Sequence, residues 1–155
     1  MTATVQIRPI QPSDQERWRP LWDAYNAFYG RQGPTALPEY ITATTWSRFF
    51  DPAEPVFAFV AEDGAQLVGI VHYLYHRSTS RLTGVCYLQD LFTVPERRGQ
   101  GVGRRLIQAV CDAARAAGSS RVYWHTQHFN KPGRMLYDKV ANHDDGGFIV
   151  YIKEL

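Results

Sequence analysis

Apolar and polar positions alternate in the first readable stretch, TVQIRPI, with Val5 and Ile7 on one side. A period of two predicts a half-buried strand. The period then lengthens. Trp18, Leu21, Trp22, Tyr25 and either Phe28 or Tyr29 fall on one side of a helix, and Gly30 is placed to end it. Its start is expected at SDQE, Ser13 to Glu16, the pattern of a capping box. After the loop GPTALP, a second helix is predicted from about Glu39 to Phe50. VFAFVAEDGAQLVGIVHYLYH reads as two strands around Asp63-Gly64, a hairpin dipeptide. GVCYLQDLFTV is apolar on both faces, which predicts a central strand. A helix then runs to about Ala117, closed by Gly118. RVYWHTQ reads as a strand, Asn130 to Val140 as a short helix, and GFIVYIKEL as a closing strand.

The order βααβββαβαβ predicts an α/β fold, one layer of sheet with helices on both faces. The piece made of strand, glycine turn, helix and strand is a βαβ unit, expected to be right-handed. No internal repeat or low-complexity linker divides the chain, so one domain is expected over residues 1–155.

Composition and charge remove whole classes of function. A chain that is 45% apolar and 21% charged is expected to fold. A net charge of +2 does not by itself mark a nucleic-acid binder. The start, MTATVQIRPI, has no basic start followed by the long apolar run of an export signal, and no apolar run is long enough to span a bilayer. The two cysteines, Cys86 and Cys111, are then expected to be free thiols, and the chain cytoplasmic, without membrane or nucleic-acid partner. There is no CxxC and no HExxH, and His125 and His128 lack a neighbouring cysteine or carboxylate, so no metal is expected.

One stretch goes against helix stability. RRGQGVGRRL puts Gly99, Gly101 and Gly103 between two arginine pairs, directly ahead of an apolar helical pattern. At a strand-to-helix junction, the first helical amides have no internal partner and the dipole adds positive charge. Glycine lets backbone approach a ligand closely. The combination predicts an anion cradle suited to phosphate or pyrophosphate. Arg97, Arg98, Arg104 and Arg105 would surround it with positive charge. The Walker pattern is absent because no Lys-Ser or Lys-Thr pair occurs, and the dinucleotide pattern lacks its third glycine.

The spacing Arg98-x-x-Gly101-x-Gly103 resembles the acyl-CoA pyrophosphate loop of the GNAT acetyltransferase superfamily. LQDLFTVPERRGQGVGRRLI as a whole resembles that family's core strand, loop and helix, and NKPGRMLY, with Asn130 seven residues before Tyr137, resembles its downstream segment. AYNAFY, YDKVA and GGFIVY are similar to the branch described as histone-type or polyamine-type acetyltransferases. The resemblance implies the GNAT fold, a mixed, mostly antiparallel central sheet with helices on both faces and a central βαβ acyl-CoA-binding unit. It implies acetyl-CoA as cosubstrate and transfer of the acetyl group to a primary amine by direct attack, the acceptor being a small amine, an amino sugar or a protein lysine.

Residue by residue, the resemblance implies that the backbone of Arg98, Gly99, Gln100, Gly101, Val102, Gly103 and Arg104 holds the pyrophosphate. Leu91, Phe92 and Thr93 would pair with the pantetheine arm, and a bulge in their strand would open the slot. An amide of Leu91 or Phe92 would stabilise the oxyanion. Asn130 would touch the cofactor. Tyr137 would be the general acid that protonates the leaving thiolate, a role that suits a phenol, whose ordinary pKa is about 10. Gln89 stands where polyamine enzymes of this kind carry a glutamate, and a glutamine does not accept a proton usefully. Asp90 is the next carboxylate, an amine-binding anion or water-relayed base in one reading and a structural residue in the other. Strict strand alternation would keep Gln89 and Asp90 from facing the same slot. Glu16, Glu39 and Glu62 are other candidate bases. Trp22, Tyr25, Tyr29 and Gln89 are candidate acceptor-site residues, and neither cysteine is expected as a nucleophile. A possible homodimer would pair through FIVYIKEL. The alternatives are a non-catalytic acyl-CoA-binding module of the same fold and a nucleic-acid-binding protein.

Overall fold

Five strands line up in sequence order as one sheet: β1 (Gln6–Pro9), β2 (Val56–Asp63), β3 (Gln66–His76), β4 (Val85–Thr93) and β5 (Val122–Tyr123). They belong to a computed structural model that describes residues 4–143 and 147–155. The chain divides into two compact units, one ending at His125 and one running from Thr126.

In the first unit, β1 to β4 are antiparallel neighbours and β4 pairs with β5 in parallel. The hairpin between β2 and β3 turns at Asp63-Gly64, as the dipeptide predicts. Among the described residues, this unit has three α-helices: α1 (Gln15–Phe28), α2 (Glu39–Arg48) and α3 (Val102–Ala116). Successive strand residues point to opposite faces. Ile70 packs in a core with Trp18, Trp22 and Trp46, whereas its neighbour Gly69 is pressed against Val102 and Leu106 of α3. Helices therefore cover both faces, and β4–α3–β5 is the expected βαβ piece, at the β5 end of the described sheet.

Two local expectations differ from the structure. Ser13 forms no capping box at the start of α1. A 3₁₀ turn over Pro12–Asp14 precedes the helix, and Asp14 is fully buried. Its carboxylate accepts from the Gln11 amide and from Arg8 and Arg17, which also hold Glu62. Two arginines shared between two acids outweigh one serine cap. The expected strand RVYWHTQ keeps only two ladder residues.

The second unit holds α4 (Lys131–Val140), capped by Asn130. The composition of GFIVYIKEL predicts a strand that closes the sheet, but its described residues, 147–155, form none. A strand needs a neighbour to complete its backbone hydrogen bonds, and among the described residues none pairs with this segment.

Candidate active site

The site begins with an irregularity in β4. His72 stands opposite Asp90, but the next residue, Tyr73, stands opposite Leu88, so Gln89 is an extra residue in the ladder. Such a bulge breaks the alternation of side chains. Gln89 and Asp90 consequently line the same cavity. This corrects the expectation that they must face apart, which holds only for an unbroken strand. The ladder between β4 and β5 also ends early, at Tyr87 and Tyr123, while β4 continues to Thr93.

Asp90 is 8% exposed, and a chain of buried groups orients it. The Trp18 indole Nε1–H donates to His72 Nε2 at 3.0 Å. An indole can only donate, so His72 Nε2 accepts and the ring proton sits on Nδ1. From there it is donated to Asp90 Oδ2 at 2.9 Å. His72 is itself enclosed by Trp22 and Phe49, with ring centroids 5.3 and 4.8 Å away. The Tyr25 phenol is pushed above its ordinary pKa, first by burial and then by the Asp90 charge, and stays a hydrogen-bond donor. One carboxylate thus sits at the wall of a largely apolar cavity with its orientation fixed by neutral donors. Such a group can bind an ammonium ion and accept its proton.

The cavity is about 400 Å³. Trp22 and Gln89 line it, as do Phe49 and Leu74. Tyr25 and Tyr29 do not, and their rings instead lie under the guanidinium of Arg31, which does line it. The other candidate bases lie elsewhere. Glu62 is bound by Arg8 and Arg17, Glu39 is bound by Arg19, and Glu16 lies beside Trp46 in a second cavity.

The glycine stretch follows β4 directly. Gly99 and Gly101 have φ of 74° and 83°, left-handed values that disfavour any other residue. Gly101 is the N-cap of α3, and Arg105 N–H to Gly101 C=O, at 3.0 Å, is the first helical bond of this turn. The amides of Val102, Gly103 and Arg104 therefore face outward with no helical carbonyl behind them. A cradle of this kind fits a pyrophosphate. The arginines around it do different work. Arg97 pairs with Asp63, Arg105 donates to the Val5 carbonyl at 2.7 Å, and Arg98 ties back to the Thr93 carbonyl at 3.0 Å. Arg98 therefore fixes the loop to the end of β4, where Leu91, Phe92 and Thr93 lie.

Asn130 and Tyr137 belong to the second unit. Asn130 Oδ1 accepts from the Gly133 amide and its Nδ2 donates to Thr126, so its side chain starts α4. Tyr137 is half-buried on the same helix. Cys86 and Cys111 are free, and burial, followed by the neighbouring Cys111, pushes the Cys86 thiol up to about 12.

Sequence reasoning missed His72, Trp18, Asn26 and Arg31. A histidine inside the apolar run VGIVHYLYH was the available signal for His72. Its partner could be found only from strand register.

Comparisons with known proteins identify the family and the fold. The Acetyltransferase (GNAT) family matches residues 18–142. A D-amino-acid N-acetyltransferase of Saccharomyces cerevisiae, HPA3, is 36% identical over 144 residues, covering 91% of this chain and 86% of its own. The crystal structure of a probable acetyltransferase has a TM-score of 0.82 at 22% identity, covering 97% of each chain. The structure of AAC(6')-Iy with a bisubstrate analogue of CoA has a TM-score of 0.79 at 18% identity, covering 99% of this chain and 100% of that one.

Proposed function

Because the chain belongs to the Acetyltransferase (GNAT) family and is an acetyl-CoA-dependent N-acetyltransferase, we propose that its acceptor is a small primary amine bound in the cavity beside Asp90. The observation that carries this reading is the buried Trp18–His72–Asp90 chain, which ends in one carboxylate at the cavity wall. Acetyl-CoA supplies an electrophilic thioester. The amides of residues 99–104 hold its pyrophosphate, and the backbone of Leu91 to Thr93 takes the arm along the edge that β5 leaves. An N–H of Leu91 or Phe92 stabilises the charge that develops on the carbonyl oxygen.

Asp90 binds the incoming ammonium group and takes up its proton, directly or through water, so that a neutral amine attacks. Tyr137 is the acid for the departing thiolate, and Asn130 contacts the cofactor. Support for these two is the family spacing alone. A cavity of about 400 Å³ is at the small end of ligand sites and favours a free small molecule over a protein lysine. The yeast relative, named for D-amino acids, supports the same class.

The reading includes one catalytic domain over residues 1–155, a cytoplasmic location consistent with two free thiols, and a homodimer. Exposed Phe148, Tyr151 and Ile152 support the last, since a second copy would cover them. A light-scattering mass equal to one chain would refute it. The acceptor reading is tested by thiol release from acetyl-CoA with a panel of small amines. Turnover with small amines and none with lysine-bearing peptides is expected; the reverse preference would overturn it.

A further inference from the structure

The cavity wall carries a second charge besides Asp90, and it is also held by buried structure. Helix α1 ends in a Schellman turn: Gly30, at φ 80°, donates to the Ala27 carbonyl at 3.0 Å, and Arg31 N–H donates to the Asn26 carbonyl at 2.9 Å. The turn fixes where Arg31 leaves the helix. The Arg31 side chain is fixed as well, because its Nε donates to Asn26 Oδ1 at 2.6 Å. Asn26 is 4% exposed and is oriented by its own bond to the Trp22 carbonyl, at 2.9 Å. Tyr25 and Tyr29 lie under the guanidinium, 5.9 and 5.6 Å from ring centroid to Cζ.

With Nε engaged, the two terminal nitrogens remain for a ligand. Among the described residues no acidic side chain forms an ion pair with Arg31, whereas Arg48, the other cation of the cavity, faces Glu54 at 3.8 Å. A planar pair of terminal N–H groups matches a carboxylate. The same cation repels a polyamine or an amino sugar carrying several positive charges. The cavity's lining also includes the apolar side chains of Trp22, Leu37, Phe49 and Leu74.

We propose that the acceptor is a free amino acid with an apolar side chain, its amine at Asp90 and its carboxylate on Arg31. This rests on the reading of the Asp90 cavity as the acceptor site. Arg31 then sets specificity, and the chemistry stays with Asp90: the N–C bond to the acetyl group forms, the C–S bond breaks, and the amine's proton leaves through Asp90.

The test is thiol release from acetyl-CoA with three sets of acceptors: leucine and phenylalanine of either hand, their amides, and the matching amines without a carboxylate. The amino acids of at least one hand should exceed their amides in kcat/KM by about 10- to 100-fold, the range of one charged hydrogen-bonded contact. Arg31→Gln should bring that ratio close to one, chiefly through KM. Arg31→Lys should restore part of it. Equal rates on all three sets, or a ratio that survives Arg31→Gln, would overturn the proposal while leaving the amine reading intact. No turnover with any acceptor, despite saturable acetyl-CoA binding, would overturn the cavity reading and this proposal with it.

Discussion

The two halves of the proposed site are built to hold their ligands by different means. In the proposed function the glycine loop would work through backbone: amides at the start of α3, opened by two left-handed glycines, would donate to an anion whatever the side chains are. The Asp90 cavity works through side chains brought from α1, β3 and β4, each oriented by a buried partner. Backbone recognition suits a constant cosubstrate. Side-chain recognition can be altered without disturbing it, so the acceptor is where members of such a fold can diverge.

The comparison predicts separable failures. The largest belongs to the chemistry. Asp90→Asn keeps the shape and removes the proton acceptor, and kcat should fall about 10²- to 10⁴-fold, measured by thiol release with saturating acetyl-CoA. Tyr137→Phe should fall toward the lower end of that range at neutral pH, with acetyl-CoA affinity retained; full turnover would remove it as the acid. Gly101→Val acts on the other half. A β-branched residue at φ 83° is strained and re-aims the cradle, so acetyl-CoA should bind at least about tenfold more weakly by calorimetry, roughly the loss of one charged hydrogen bond.

A smaller effect is expected for His72→Phe, which leaves the Trp18 N–H and one Asp90 oxygen without their partners. Stability should drop by about 1–3 kcal/mol in urea unfolding, and kcat should fall while the KM for acetyl-CoA holds. The last effect lies outside both halves. Hydrogen bonding to Arg8, then to the Gln11 amide, holds the Asp14 carboxyl down to about 2. Its folded pKa is below its unfolded one, so its contribution is complete above roughly pH 4 and is lost as pH falls through about 2. Wild-type protein should lose about 2 kcal/mol between pH 5 and 2 from this group. Asp14→Asn should lose less over the same range.

The same contrast explains what could be read from the chain. The glycine loop is contiguous in sequence, so its spacing was visible, as were the α1 stripe and the Asp63-Gly64 hairpin. The Asp90 relay joins residues 18, 72 and 90, brought together by the β3–β4 register and by the packing of α1 on β3. The bulge at Gln89 has no local signature in LQDLF, yet it decides which side chains reach the cavity. The closing strand fails for a related reason. Phe148 to Leu155 has a strand's composition, but composition does not provide a neighbour.

The measurement that tests the account most directly is a calorimetric titration of acetyl-CoA, with CoA and ATP as controls, into wild-type and Gly101→Val protein. The account predicts saturable one-site binding of both CoA species to the wild type, none of ATP, and weakened binding to the variant. No binding to the wild type, or equal binding to both proteins, would contradict the assignment of the glycine loop and the division of the site into two halves.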